Sequence, residues 1–459
     1  MIKPGTHSKV ILLIPPFYSH FNPLLALSKA FAMEGWEVIV GTGESFSDQV
    51  KEAGLFFQRV DISRNANTGI AADTQQAEVE RQRLEAFFEA TYQGPEETLL
   101  IQSLHRRDDM LTDPEGLMRQ IQKLEELHQP DLWVVDQLSY GATLAMKCLN
   151  LAFISFCPPH PYSIPTKETL FGVPVRWPSS FQPDPDKMRL LENAAREARQ
   201  TFTDFFNSTL ARFGQPASVK NAFSETSPLA VVYMYPPAPA VLIRDAAKAP
   251  HLEDDGRKPP KTIYAGHCFE PLPIPEAWQE KMTVFRTCRP RILLSFGTFL
   301  SRRADLLEKS LRWIREAYPD SGILVAAGGS EKELTHLQDD RTLVEGLIPQ
   351  KTLYPEMDLV IHHGGCNTFT ECLYFGKPMI IVPFSSDQFH IAADGEHMGV
   401  AAVLNPQVMT REALFAALQV MLTPASEQAR SHWQRLVQSR GPSYACREVM
   451  QHIDPGRSF

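Results

Sequence analysis

The stretch Ile361–Gln388, IHHGGCNTFTECLYFGKPMIIVPFSSDQ, lays out an apolar run, a glycine pair, a helix start, a helix and a second apolar run in that order. Asp358 to Ile361 suits a buried parallel strand, and His362 to Gly365 is the loop that leaves it. Asn367 and Thr368 are good caps for a helix that carries Glu371, Cys372, Leu373 and Phe375 and stops at Gly376 ahead of Pro378. A helix start offers free N–H groups and a positive dipole end, and a preceding glycine pair lets backbone amides approach a ligand, so phosphate oxygens are favoured there. An ordinary βαβ connection uses glycines as well, for tight packing. The continuation goes further: Met379 to Val382 ends in Pro383 and runs into Asp387-Gln388, a carboxylate and an amide able to bind sugar hydroxyls at a strand's C-terminal end. The stretch reads as a site for a diphosphate carrying a sugar.

In its pattern the stretch resembles the donor-site signature of the inverting, nucleotide-sugar-dependent glycosyltransferases of the GT-B fold, a group that includes UDP-glycosyltransferases and macrolide glycosyltransferases. That signature, H-x-G-x-N-[ST]-x-x-E, then G-x-P, then [DE]-Q, falls on His363, Gly365, Asn367, Thr368, Glu371, Gly376, Pro378, Asp387 and Gln388. The resemblance implies an α/β protein of two Rossmann-like, doubly wound parallel-sheet domains with a cleft between them, acceptor on the first domain and donor on the second.

Size and composition are compatible with this. At 459 residues, 43% of them hydrophobic, the chain has material for two cores. A net charge of −9, spread along the chain, argues against nucleic acid or an anionic membrane surface as the main partner. Cys148, Cys157, Cys268, Cys288, Cys366, Cys372 and Cys446 form no C-x-x-C pair, which fits a reducing compartment and predicts no zinc site. Val10 to Ile14 is broken at once by Pro15-Pro16, and no run of eighteen apolar residues occurs, so the expectation is a cytoplasmic protein without an integral membrane segment, a monomer or weak homodimer.

From Val10 the chain reads as a βαβ opening: VILLI, a helix from Leu24 to Glu34, then a strand from Glu37 to Val40. Residues 65 to 128 interrupt the rhythm with polar helical material in which Leu84, Phe87, Phe88 and Tyr92 share a face; such a stripe builds core or lines an acceptor pocket. The series resumes at Leu132 to Val135 and Ala152 to Phe156. Pro158 to Pro185 reads as an ordered, irregular loop, and Asp184-Pro-Asp186 within it lacks the strand end that a D-x-D metal motif needs. The polar, proline-bearing Ala246 to Lys261 is the expected linker. The expected domains are thus 1–245, the linker 246–261, 262–425, and a helical segment 426–459 that, by the resemblance, packs back on the first domain.

Sugar transfer with inversion needs a base for the acceptor proton and stabilisation of the departing diphosphate. His20 in Ser19-His20-Phe21-Asn22-Pro23 stands at a helix start, with Asn22 as the expected cap and Pro23 as the first helical residue, and the dipole there favours a neutral imidazole. Capping or packing would also account for such a histidine; the resemblance makes it the base. Asp136, closing LWVV, either caps the helix near Ser139 or, as the resemblance implies, orients the second ring nitrogen of His20. Ser295-Phe296-Gly297-Thr298 matches the family's S-x-G-[ST] element, in which the Gly297 backbone and Thr298 hydroxyl meet a phosphate. His363 is expected to donate a hydrogen bond to the diphosphate and, if protonated, a charge. In place of the family's W-x-P-Q stands Leu347-Ile348-Pro349-Gln350: Gln350 and Glu371 keep the ribose contacts, while Leu347 replaces the ring that stacks on the base. UDP is favoured and dTDP remains open; Cys366 also departs from the family, and Gln388 suits a glucose-like sugar. No metal is required, and no cofactor beyond the nucleotide sugar is expected. His20, Asp136, Gly297-Thr298, His363 to Gly365 and Asp387-Gln388 all follow apolar runs, as they should if ligands bind at the strands' carboxyl ends. The expected activity is transfer of a hexose to a hydroxyl of a small, lipophilic or secondary-metabolite acceptor; a nucleotide-sugar epimerase and a non-catalytic nucleotide-sugar-binding subunit are the alternatives.

Overall fold

The computed structural model describes residues 8–63, 66–67, 78–109, 113–248 and 259–453. Among them the strands form two wholly parallel sheets. The first takes β1 (Lys9–Leu13), β2 (Glu37–Thr42), β3 (Phe56–Arg59), β4 (Leu132–Asp136), β5 (Phe153–Cys157), β6 (Ala230–Tyr233) and β7 (Lys261–Tyr264) in the order β3-β2-β1-β4-β5-β6-β7. The second takes β8 (Arg291–Ser295), β9 (Gly322–Ala326), β10 (Thr342–Glu345), β11 (Leu359–His362), β12 (Met379–Ile381) and β13 (Ala401–Val403) in the order β10-β9-β8-β11-β12-β13. Helices cover both faces of each sheet, so central strands such as LWVVD and FISFC are buried throughout and read as continuous rather than alternating apolar runs. The molecule is a two-domain α/β protein of GT-B architecture.

Both sheets reverse direction next to their first strand: β1 lies between β2 and β4, and β8 between β9 and β11. At such a switch point the loops from neighbouring strands diverge and leave a crevice. The loop after β1 and the end of β4 open one crevice; the loops after β8 and β11 open the other.

The helices that position the site are α1 (Tyr18–Met33), α2 (Glu78–Gln93), α3 (Pro95–Asp109), α4 (Pro114–His128), α5 (Tyr140–Cys148), α6 (Pro185–Arg212), α7 (Cys366–Tyr374), α8 (Gln388–His397) and α9 (Pro442–Ile453). The described residues of the polar excursion 65–128 include α2, α3 and α4. Asp184 of the D-x-D stretch is the N-cap of α6, its carboxylate accepting from the backbone N–H of Asp186 at 2.7 Å. Cap geometry accounts for that aspartate without any metal.

Two expectations need correction. The segment 246–261 does not separate the two sheets: Lys261 opens β7, which pairs with β6 at the edge of the first sheet, so the chain crosses over only after Tyr264. Residues 249–258 of that segment lie outside the described residues. Helix α1 begins at Tyr18, with Phe17 as N-cap, so Pro23 is inside the helix and Asn22 caps nothing. The last helix, α9, packs against α1 and β7, and Trp36 donates its indole N–H to the Met450 sulfur at 3.0 Å.

Candidate active site

His20 sits in the first turn of α1, directly after β1, and Asp136 is the last residue of β4, the strand beside β1. The switch point thus brings them together: His20 Nδ1 and Asp136 Oδ2 are 2.8 Å apart, with the histidine side chain 17% exposed and the aspartate fully buried. The other Asp136 oxygen accepts from the Leu138 N–H at 2.9 Å, so one carboxylate both ties the turn into α5 and orients the imidazole. With Nδ1 engaged, Nε2 is the nitrogen left for the cleft. Burial alone would lower the His20 pKa, but the charge and hydrogen bond of Asp136 and the charge of Asp387 outweigh it and raise it above the ordinary value. The two carboxylates therefore reverse the expectation of a dipole-lowered pKa.

Pro23 has a consequence across the cleft. Lacking an N–H, it leaves the Ser19 carbonyl without its helical donor. The side-chain amide of Asn367, from the second domain, donates to that oxygen at 2.9 Å. The helix carrying His20 and the helix of the donor signature are joined through a hydrogen bond that a proline makes available.

In the second domain Gly365 is the N-cap of α7, and no side chain caps the helix, which leaves first-turn N–H groups for a ligand. Asn367 and Thr368 lie inside the first turn rather than at the cap, which corrects the role assigned to them. The glycines around this turn make room for the protein's own imidazole: a Cβ on Gly297 would come within 2.6 Å of His363 Cε1, and one on Gly365 within 2.6 Å of His363 Nε2. Gly297 moreover has φ +74°, which other residues rarely adopt. His363 is held between them, and burial, only partly offset by the Ser295 backbone, lowers its pKa to about 4. It is neutral at pH 7, so the condition for a charge is not met and it offers a hydrogen bond alone. The Thr298 backbone lies in the turn after Gly297, and its side chain is outside the described set.

Glu371, Cys366, Asn367, Thr368, Gln350, Leu347 and Ile348 all line one cleft of about 910 Å³ together with His20, Gly297, His363, Asp387 and Gln388. Burial raises the Glu371 pKa to about 7, against the opposing charge of Lys351 and the Tyr354 hydroxyl. Burial likewise pushes the Cys366 thiol well above its usual range. Leu347 is 62% exposed, an aliphatic surface on the cleft, whereas Ile348 is buried. Gln350 is engaged with the protein, its amide donating to the Ser295 hydroxyl.

Two expected sugar ligands are also occupied. Gln388 Oε1 accepts from the N–H groups of Phe384 at 2.8 Å and Ser385 at 3.2 Å, so its amide shapes the loop instead of projecting from it. Asp387 Oδ2 accepts from the His160 N–H of the first domain at 2.8 Å. Of the aromatic stripe, Phe87 lines the cleft beside Leu84. Phe88 and Tyr92 do not: Arg302 lies 4.6 Å over the Phe88 ring and Arg303 4.1 Å over that of Tyr92, which makes this end of α2 a contact between domains. The acceptor assignment is corrected for these two rings.

Sequence reasoning missed the cluster that joins the domains behind the cleft. Asp394 on α8 is buried, and its partners come from the first domain: Arg176 Nη1 at 2.6 Å, His160 Nε2 at 3.1 Å and the Tyr235 hydroxyl at 3.2 Å. The rings of Tyr162, His390 and His160 stack nearly parallel beside it. Only the histidines and aromatics in the proline-rich loop hinted at this, and their partner lies more than two hundred residues away.

The model of the glycosyltransferase family 28 C-terminal domain matches residues 306–440. Among curated proteins the chain is 24% identical over 166 residues to an uncharacterized UDP-glucosyltransferase, YojK, of Bacillus subtilis, a match spanning 35% of this chain and 40% of that protein. Longer matches are the NDP-glycosyltransferase YjiC of the same organism, 22% identical over 88% of this chain and 87% of the relative, and a zeaxanthin glucosyltransferase of Pseudescherichia vulneris, 26% identical over 84% and 83%. Among solved structures, the glycotransferase of kitacinnamycin superposes with a TM-score of 0.66 at 16% identity, covering 98% of this chain and 100% of that one. The glycosyltransferase VinC in complex with dTDP gives 0.63 at 17%, with the same coverage. The signature residues are gathered in one cleft between two such domains, and the chain has the GT-B fold and is similar along most of its length to glycosyltransferases of the UDP-glycosyltransferase type.

Proposed function

We propose that the protein transfers a glucose-like hexose, with inversion, from a UDP- or dTDP-sugar to a hydroxyl of a small, largely apolar acceptor. The observation that carries this reading is the His20–Asp136 pair, 2.8 Å apart, facing the cleft that the donor-signature residues line. His20 Nε2 takes the acceptor proton as the oxygen attacks the anomeric carbon from the face opposite the nucleotide, so an α-linked donor gives a β-linked product. Asp136 holds the tautomer and offsets the imidazolium charge that forms. The leaving diphosphate lies against the Gly297 backbone, the first-turn N–H groups of α7 and neutral His363, all fixed dipoles that need no reorganisation during transfer. Glu371 accepts from the ribose hydroxyls. The cleft's own groups supply this chemistry without a metal ion.

In this reading the first domain, up to about Tyr264, holds the acceptor between Phe17, Leu84 and Phe87, and the second holds the donor. The exposed Leu347 face accepts a uracil or thymine without stacking; VinC, named as a dTDP complex, supports keeping thymidine donors in view. The relative named for zeaxanthin supports a lipophilic acceptor. The test is incubation with UDP-glucose or dTDP-glucose and a panel of phenols and aliphatic alcohols, followed by mass and proton NMR. A β-glucoside supports the reading. An α-glucoside would refute inversion, and an isomerised nucleotide sugar without transfer would mean an epimerase.

A further inference from the structure

We propose that the acceptor carries an anionic group, a carboxylate or its equivalent, which seats on the guanidinium of Arg106. The proposal rests on the transferase reading above and adds the acceptor's charge to it. Arg106 lies on α3 and lines the same cleft as His20 and Phe87. Its guanidinium sits 4.6 Å over the Phe171 ring. The chain also passes close at Gly172, where a Cβ would strike Nη1. Arg106 Nη1 is buried and has no hydrogen-bond partner, and no ion pair to Arg106 is formed among the described residues.

Other buried arginines of this protein are treated differently. Arg303 binds the Asp305 carboxylate and the Thr91 carbonyl, and Arg244 binds the Asp245 carboxylate and the Pro161 carbonyl. A guanidinium taken out of water without such partners is unfavourable, and folded proteins keep few of them. Burial indeed lowers the Arg106 pKa to about 10, with Tyr140 and Asp387 acting the other way. A planar fork stacked on an aromatic ring, with Nη1 unpaired and the residue lining a ligand cleft, is arranged for a carboxylate. The apolar walls at Phe17, Leu84 and Phe87 complete the description: an apolar body with a hydroxyl toward His20 and an acid toward Arg106.

The probes are 4′-hydroxybiphenyl-4-carboxylic acid and 16-hydroxyhexadecanoic acid, each with its methyl ester, titrated calorimetrically into the UDP-loaded protein. At least one acid should bind the wild type about tenfold or more tightly than its ester, the range for a charge-assisted bidentate contact. In Arg106→Gln the acid-to-ester ratio should collapse toward one, and Arg106→Lys, which keeps the charge but loses the fork, should fall between. Thermal unfolding checks that each variant is folded. Esters that bind as well as both acids, or a ratio unchanged in Arg106→Gln, overturn the proposal. Loss of UDP affinity in Arg106→Gln would put the guanidinium on the donor diphosphate and overturn it as well. Preferential acid binding without glucosylation would count against the transferase reading and leave the anion site standing.

Discussion

Replacing Glu371 by glutamine should make the protein more stable and a poorer nucleotide binder. Burial raises this carboxyl from 4.5 to about 7, so the folded protein holds a proton there that the unfolded chain has already released. A raised carboxylate pKa lowers stability as pH rises from the unfolded value through the folded one, and the deficit levels off above that. With ~1.36 kcal/mol per pKa unit the deficit is about 2 kcal/mol at pH 6 and about 3 kcal/mol at pH 8. The amide has no such dependence, so its advantage over the wild type should widen by about 1 kcal/mol between those pH values. In the proposed donor site the same substitution removes a charged acceptor from the ribose hydroxyls, a loss of about 1.5–3 kcal/mol, or roughly tenfold to a hundredfold in UDP affinity. Urea unfolding of both proteins at pH 6 and pH 8, with calorimetric titration of UDP at pH 8, measures each part. A stability difference independent of pH, or a variant that binds UDP as well as the wild type, would refute the reasoning.

Three further substitutions probe other parts of the site. Asp136→Asn removes the charge that raises the His20 pKa; the wild-type kcat/KM should climb with pH as the imidazole loses its proton above 6.5, and in the variant that limb should move to lower pH with a lower plateau. Gly365→Ala puts a methyl within 2.6 Å of His363 Nε2, which should cost about 1–3 kcal/mol in denaturant unfolding and displace the imidazole from the proposed diphosphate site, so that kcat/KM falls as well. Asp394→Asn strips a buried carboxylate from Arg176 and His160 of the other domain, and should lower stability by about 3 kcal/mol and speed proteolysis between the domains.

Much of the fold was legible because its strands are buried on both faces: Val10 to Ile14, Leu132 to Val135, Arg291 to Phe296 and Asp358 to Ile361 read as apolar runs and fold as β1, β4, β8 and β11 within a residue or so. The donor loops were legible for a related reason, since the glycines of Gly364-Gly365 and Gly297 mark where such strands end, although the expected cap residues do not cap the helix. What stayed hidden depends on partners remote in the chain. Pro23 read as a helix start because its missing N–H fits that position, yet the Ser19 carbonyl it leaves without a helical donor is met by Asn367, 348 residues on from Ser19. Strand β7 follows a polar segment that looked like a domain boundary, and only its pairing with β6 assigns it to the first sheet. Gln388 looked free to bind sugar, whereas its amide holds the Phe384 and Ser385 N–H groups of its own loop. Phe88 and Tyr92 shared a helical stripe with Phe87, and nothing local told which ring faces a cleft and which meets an arginine of the other domain.

The central claim is that His20 is the base of a sugar transfer. The most direct test compares wild type and His20→Ala on the high-pH plateau of the wild-type profile, measuring glucoside formation from the preferred donor and donor affinity by calorimetry. The account predicts a fall in kcat of about two to four orders of magnitude, with nucleotide affinity changed by less than about threefold. Equal turnover in the two proteins, or a loss explained wholly by weaker donor binding, would contradict it.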